Sequence, residues 1–236
     1  HKAHDIASGL LYYDNTLLGA AGDGRIFALN SSDGTPIWEY QAEGGCVAGP
    51  SLDGRMLYQP SDFGRIHYLR VTDGKHGCSA KLMAAITGQV ALGDFAYACD
   101  VTGNVGAFDK TTCDTEWKRT LDAPIWGAPA LADGILYIGT TAGTVWALDG
   151  DTGNDLWRID VGEVIKGGVI VVGDFVIAAT MRGNVLAIAR SDGSITSQVH
   201  IHGAIEQSPV SDGTRIFVAT QKGKIAAFGD CPPDTD

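Results

Sequence analysis

Three aspartates, Asp149, Asp151 and Asp155, stand around Gly153 in the stretch ALDGDTGNDLW, which runs from Ala147 to Trp157. Alternating carboxylates with a glycine at a sharp bend are how loops of the EF-hand kind bring oxygen ligands to calcium, so a cation site is the first chemistry this spacing suggests. His200 and His202 form a second pair with metal-ligand spacing, since alternation would set both on one face of a strand. Neither a cysteine nor a third histidine lies near them, and solvent-facing rings are the preferred reading. A third group joins an aromatic ring to charges: Trp126, Lys166 and Glu206, with Arg182 and Lys222 in the same repeats. Such a cluster could hold a small anion, a carboxylate or a peptide end, with the ring as a stacking surface and the cations as donors. The plainer alternative is a charged rim in water. No G-x-S-x-G, P-loop or H-E-x-x-H motif is present.

The elements that must position these groups repeat. GTVWALD at Gly143 has relatives at Gly24 (GRIFALN), Gly64 (GRIHYLR), Gly103 (GNVGAFD), Gly183 (GNVLAIA) and Gly223 (GKIAAFG), separated by 40, 39, 40, 40 and 40 residues. Six copies fill the chain, approximately 1–40, 41–81, 82–120, 121–160, 161–200 and 201–236. The unit from Ile125 to Asp160 alternates apolar runs (IWGAPAL, ILYIGT, TVWALD, DLWRID) with turn sequences rich in Gly, Asp and Asn. Short runs rich in Val, Ile, Tyr and Trp, broken by Gly and Asp, are strands joined by hairpins. Four strands per unit of about 40 residues predict an all-β chain of propeller blades, each sheet buried against its neighbours around an axis.

This frame weighs against the cation loop. Its equivalents are Ala28 to Trp38 (ALNSSDGTPIW), Ala107 to Trp117 (AFDKTTCDTEW) and a reduced copy reaching Asp192-Gly193. The acidic spacing is lost among them while the glycine and the tryptophan largely remain, so the shared constraint is a tight turn followed by a buried aromatic. No metal ligand set is therefore expected.

The form A-x-D-x-x-T-G-x-x-x-W, complete at Ala147, Asp149, Thr152, Gly153 and Trp157, resembles the tryptophan-docking motif of quinoprotein-type propellers. That family includes dehydrogenases using pyrroloquinoline quinone (PQQ) and non-enzymatic outer-membrane-assembly lipoproteins. The resemblance implies that the tryptophan at position eleven of one blade packs on the glycine at position seven of the next. Trp38, Trp117 and Trp157, with Gly34 and Gly153 among the glycines, are then structural docking residues. Position eleven is Cys78 in copy two and Ser197 in copy five, and position seven is Cys113 in copy three. Cys78 and Cys113 thus fall on the two halves of one docking contact. They form either a disulfide between neighbouring blades or two independent small thiols.

The disulfide would place the chain in an oxidising, extracytoplasmic compartment, periplasmic or secreted. Five cysteines leave at least one of Cys46, Cys99 and Cys231 unpaired within the chain, and Cys46 and Cys99 fall in predicted strands as small core residues. Asn30-Ser31-Ser32 fits a glycosylation sequon on an exposed turn. With 236 residues, 44% of them apolar, the chain can bury a large core. A net charge of -11 disfavours nucleic acid, and no apolar run approaches the ~20 residues of a membrane-spanning helix. The chain opens on His1, which suggests processing or excision. Copy six supplies three strands before Cys231-Pro-Pro, so the chain is expected to form a β-propeller of six four-stranded blades whose last blade can be three-stranded; a closed six-bladed ring is favoured over a piece of a larger one, because open-ended blades would expose sheet edges.

On the propeller face where the turns between second and third strands meet the connections into each innermost strand, Trp126, Lys166 and Glu206 occupy equivalent positions. The other copies are expected to place Ala7, Val47 and Ile86 there. The expected function is a non-catalytic binding or scaffold module that presents this face to a protein or small-ligand partner. A sensor domain of a larger membrane receptor or kinase is the alternative, and a PQQ-dependent dehydrogenase of the alcohol dehydrogenase type the second. That last reading is disfavoured because the chain lacks a Cys-Cys pair, long insertions, and an additional Asp and Asn near Glu206. No cofactor is expected; PQQ with calcium belongs to the dehydrogenase alternative.

Overall fold

The computed structural model describes Ile6 and residues 9–229. Their strands form six antiparallel sheets in chain order, and within every sheet sequence neighbours pair. The fourth sheet is representative, with strands Ala130–Ala132, Ile135–Gly139, Thr144–Asp149 and Asp155–Asp160. Sheets one to five have four strands, and sheet six has three among the described residues: Val210–Ser211, Ile216–Ala219 and Ile225–Phe228. Each sheet is one sequence repeat, a propeller blade.

The repeat glycines exist because of one turn. Between the second and third strands the chain reverses through a left-handed residue, and Gly24, Gly64, Gly103, Gly143, Gly183 and Gly223 all take φ between +73° and +91°. A side chain there costs roughly 1–2 kcal/mol. In blade four the turn closes with the Gly143 amide donating to the Thr140 carbonyl at 3.0 Å, and the other five copies repeat that bond. Between the third and fourth strands the register slips at one repeat position in all five four-stranded sheets, at Ala147/Leu148 in blade four. Such a bulge bends and twists the outer strand.

The two middle strands of blades one to five are buried on both sides, because alternate residues face the preceding and the following blade. Leu136, Ile138 and Leu148 pack toward blade three, while Tyr137, Val145 and Ala147 pack toward blade five. Each large side chain removed from water in this way stabilises the fold by roughly 1.5–3 kcal/mol. Five separate cores result, one at each junction between consecutive blades.

The outer rim carries a second set of contacts. Indole N–H groups of Trp38, Trp117 and Trp157 donate to the carbonyls of Val71, Gly150 and Arg190 in the next blade, at 2.6, 2.7 and 2.8 Å. Each ring covers a glycine, respectively Gly74, Gly153 and Gly193; a Cβ on any of these would lie within 2.7 Å of the ring. Between blades two and three the same place holds a Cys78–Cys113 disulfide, with Cα atoms 6.1 Å apart, inside the usual range for a bridge. Cys113 adopts φ 65°, the conformation of the glycines it replaces. Cys46 and Cys99 are free and buried, and burial pushes the Cys46 thiol up to about 12. Cys231 lies outside the described residues.

The first and sixth blades break the pattern. Gly34 is exposed, and nothing among the described residues lies within 4 Å of a Cβ built on it, so it covers no ring. No core among the described residues joins sheet six to sheet one, and Ile225 on sheet six is 75% exposed. Among the described residues, the closing side-chain packing expected between the last and first blades is not present.

Candidate functional site

The opening loop acts as a turn. The Asp149 carboxylate accepts from the Thr152 amide at 2.8 Å and hydroxyl at 2.7 Å, and these bonds hold its carboxyl below the usual range. Asp155 reaches back to the Arg119 guanidinium of blade three at 2.5 Å. Asp33 and Asp192 close their turns onto Thr35 and Ser194 in the same manner. Among the described residues no group of three or more His, Cys, Asp or Glu is placed to hold a metal. His200 and His202 are both exposed and turn to different partners, the Asn184 side chain at 3.1 Å and the Lys222 ammonium at 2.9 Å.

The axial face is built from two kinds of segment: the turn between second and third strands of a blade, and the connection entering that blade's innermost strand. In each of blades two to six an amide of the turn donates to a carbonyl of the connection, as Val101 to Ala85, Thr141 to Pro124 and Met181 to Val164. Acidic side chains reinforce these joints. Buried Asp100 accepts from the Met83 and Ala84 amides at 3.1 and 3.0 Å and from Thr102 and Asn104. Burial opposes its charge, yet the bonds from Asn104 and Thr102 prevail and its carboxyl sits low. Glu163 does the same in blade five with Thr180 at 2.6 Å and Asn184 at 2.8 Å, and Asp122 in blade four with Thr144 at 2.7 Å. Burial raises the Glu163 carboxyl, but those bonds, with Arg182 and His200 nearby, bring it below its usual value.

At the axis, blades two to six border an open cavity of about 300 Å³ whose lining includes Trp126, Lys166 and Glu206. The Lys166 ammonium sits 3.1 Å from the Glu206 carboxylate, which that cation holds below the usual range together with Gln221. Gly88, Gly127 and Gly167 let the innermost strands touch backbone to backbone, since a Cβ on any of them would meet the next blade within 2.6 Å. Arg182 and Lys222 do not line this cavity. Arg182 is exposed near Glu163, and Lys222 contacts His202, so the five residues divide into an axial three and two cations on separate turns.

The structure corrects one expected position. Ile86 stands 17 residues before its repeat glycine, as Trp126 does, but the first hairpin of blade three is one residue shorter. Ile86 is fully buried, and the true counterpart is Thr87, which lines the cavity and donates to the Trp126 carbonyl at 2.8 Å. Ala7 lies outside the described residues. Gln89, Gln207 and Ser208 also line the cavity and carried no sequence signal, because their types are not shared between copies. The turns and connections also expose Val47, Phe63, Met83 and Val164 besides Trp126; Met83, at 83%, lies beside the outer-strand residues Lys118, Arg119 and Thr120 rather than at the cavity.

The profile of the family described as outer membrane protein assembly factor BamB matches residues 62–233. No curated protein sequence matches the chain. Among solved structures, BamB from Moraxella catarrhalis superposes with a TM-score of 0.63 at 15% identity, over 96% of this chain and 86% of that one. The computationally designed Ika8 protein gives 0.85 at 14% identity, over 94% and 70%. A chain of the mitotic checkpoint complex gives 0.81 at 14% identity, over 94% and 74%. At such identities the structural likeness speaks for the fold alone. With the family profile spanning residues 62–233 of a chain whose repeated blades dock through Trp38, Trp117 and Trp157, the chain belongs to the PQQ-type repeat propellers of the BamB assembly-factor family.

Proposed function

We propose that this propeller is a non-catalytic, extracytoplasmic scaffold whose axial face binds a protein partner. The observation that carries the reading is the pairing of exposed apolar side chains, Phe63, Met83, Val164 and Trp126, with the cations Arg182 and Lys222 on a face whose backbone is tied at the joints of blades two to six. Exposed apolar groups beside charge on a rigid support are the makings of a protein interface. The disulfide between blades two and three and the family to which the chain belongs support a location outside the cytoplasm. A small-ligand role for the axial cavity is a second reading, favoured by the Lys166–Glu206 pair beside the Trp126 ring.

The test is site-specific photo-crosslinking in the source cell envelope. A photoreactive residue at Met83 or Phe63 is expected to capture a defined partner that the same group at exposed Glu116, on an outer strand, does not capture. Equal capture from both places, or none, counts against the scaffold. Native mass spectrometry with PQQ and calcium provides the opposing arm, since a stoichiometric adduct would restore the dehydrogenase alternative.

A further inference from the structure

Lys166 and Glu206 form an ion pair at the axial mouth that leaves most of its bonding capacity unused. An ammonium carries three donors and a carboxylate about four acceptor sites. Among the described residues the Lys166 ammonium meets Glu206 alone, at 3.1 Å, and Glu206 meets Lys166 and Gln221. Both charges are partly exposed and line the axial cavity with Trp126, itself half exposed. Gln89, Ala128 and Ser208 line that cavity and also a second one of about 490 Å³. The walls of the second are largely apolar, with Leu131, Ile170, Val171 and Val210 among them.

The charges select the ligand. A lone anion at Lys166 would also meet the Glu206 carboxylate, and a lone cation at Glu206 would also meet the Lys166 ammonium, so either is attracted and repelled at once. A ligand that carries both charges, set antiparallel to the pair, places each against its opposite. Its two charges must then lie about as close together as those of the pair. In an α-amino acid the ammonium and the carboxylate share one carbon, whereas even a dipeptide separates them by a further residue, about 3.8 Å of chain. A cavity of about 300 Å³ is at the small end for ligand sites, which fits one such molecule.

Resting on the small-ligand reading of the axial cavity, we infer that this site binds a free α-amino acid with an apolar side chain. The ligand carboxylate accepts from Lys166 and its ammonium donates to Glu206. Its side chain is covered by the Trp126 ring and enters the adjoining apolar space.

The experiment is isothermal titration calorimetry of the 236-residue chain with leucine and with phenylalanine, read beside the Trp126 indole N–H resonance of isotope-labelled protein, assigned through Trp126→Phe. At least one of the two is expected to bind with a Kd of about 1 mM or tighter and to move that resonance. Isocaproate lacks only the ammonium of leucine, isoamylamine lacks only its carboxylate, and glycine lacks the side chain. Each is expected to bind about tenfold more weakly or worse. Lys166→Met and Glu206→Gln should each weaken amino-acid binding by a similar factor while the melting temperature stays near wild type, since the pair is partly exposed.

Isocaproate or isoamylamine binding as tightly as the amino acids overturns the inference while the cavity remains a small-ligand site, one for a single charge. Equal binding of a leucine dipeptide overturns it in favour of a peptide end. Binding that leaves the Trp126 resonance unmoved, or that survives both variants, overturns it because the ligand then sits elsewhere. Neither heat nor a shift from any of these compounds overturns it and removes the small-ligand reading with it, leaving the scaffold to be judged by crosslinking.

Discussion

Replacing the Cys78–Cys113 bridge by the contact it displaced tests whether the two are energetic equivalents. The bond closes a segment with a sequence separation of 35, which the chain-entropy account values at roughly 4 kcal/mol. For a chain of this size that corresponds to roughly 8–16 °C in melting temperature. Cys78→Trp with Cys113→Gly should rebuild the junction seen at Trp38–Gly74, Trp117–Gly153 and Trp157–Gly193. Burying the indole contributes about 1.5–3 kcal/mol, its N–H bond about 1 kcal/mol, and relief of the left-handed conformation at Cys113, φ 65°, about 1 kcal/mol. The sum is about the loss. Scanning calorimetry with and without reductant is the assay. Wild type should drop on reduction, Cys78→Ala with Cys113→Ala should melt at the reduced value, and the Trp/Gly variant should melt near oxidised wild type regardless of reductant. A Trp/Gly variant no more stable than the double alanine variant refutes the equivalence, and a wild type that reductant leaves unmoved refutes the value given to the bond.

Trp157→Ala removes the ring over Gly193 and the 2.8 Å bond to the Arg190 carbonyl, and should cost about 3–5 kcal/mol in denaturant unfolding. Gly74→Ala sets a methyl 2.6 Å from the Trp38 ring at φ +65°, so it should destabilise by more than the ~1 kcal/mol of the backbone alone, and Trp38→Ala should recover part of the difference in a double-mutant cycle. Asp100 has its folded-state pKa lowered, so its contribution is present above the unfolded value near ~4 and lost as pH falls through the folded one. Asp100→Asn should therefore melt well below wild type at pH 7, with the gap narrowing below about pH 4. Cys46 and Cys99 are buried with raised thiol pKa values, and mass spectrometry should find both unlabelled by iodoacetamide in the native protein at pH 8 and both labelled in denaturant.

What the sequence disclosed was whatever the repeat makes local. The six glycines reveal the turn because a left-handed residue at one place in every copy leaves glycine as the common solution. Cys78 and Cys113 reveal their bond because each replaces a known half of one contact. The acidic joints at Asp100, Asp122 and Glu163 stayed hidden, since each blade solves the same hydrogen-bonding need with a different residue at a different position. Thr87 was missed through a one-residue shortening in a hairpin, which displaces a fixed count but not the backbone. The open flank of blade one was invisible for another reason. Ile6 and Gly34 look like their counterparts in type, and only their exposure sets them apart.

The joints between turn and connection have a further consequence for how such a face changes over evolutionary time. Val47, Thr87, Trp126, Lys166 and Glu206 leave the chain from the same point of the same backbone unit, held by the same pair of segments. None of these side chains is needed to maintain that unit, since residues of five unlike types already serve there. Each position is therefore an interchangeable socket. A lineage can rewrite the recognition properties of the axial mouth one blade at a time, and a duplicated blade arrives with its own socket already aimed at the axis.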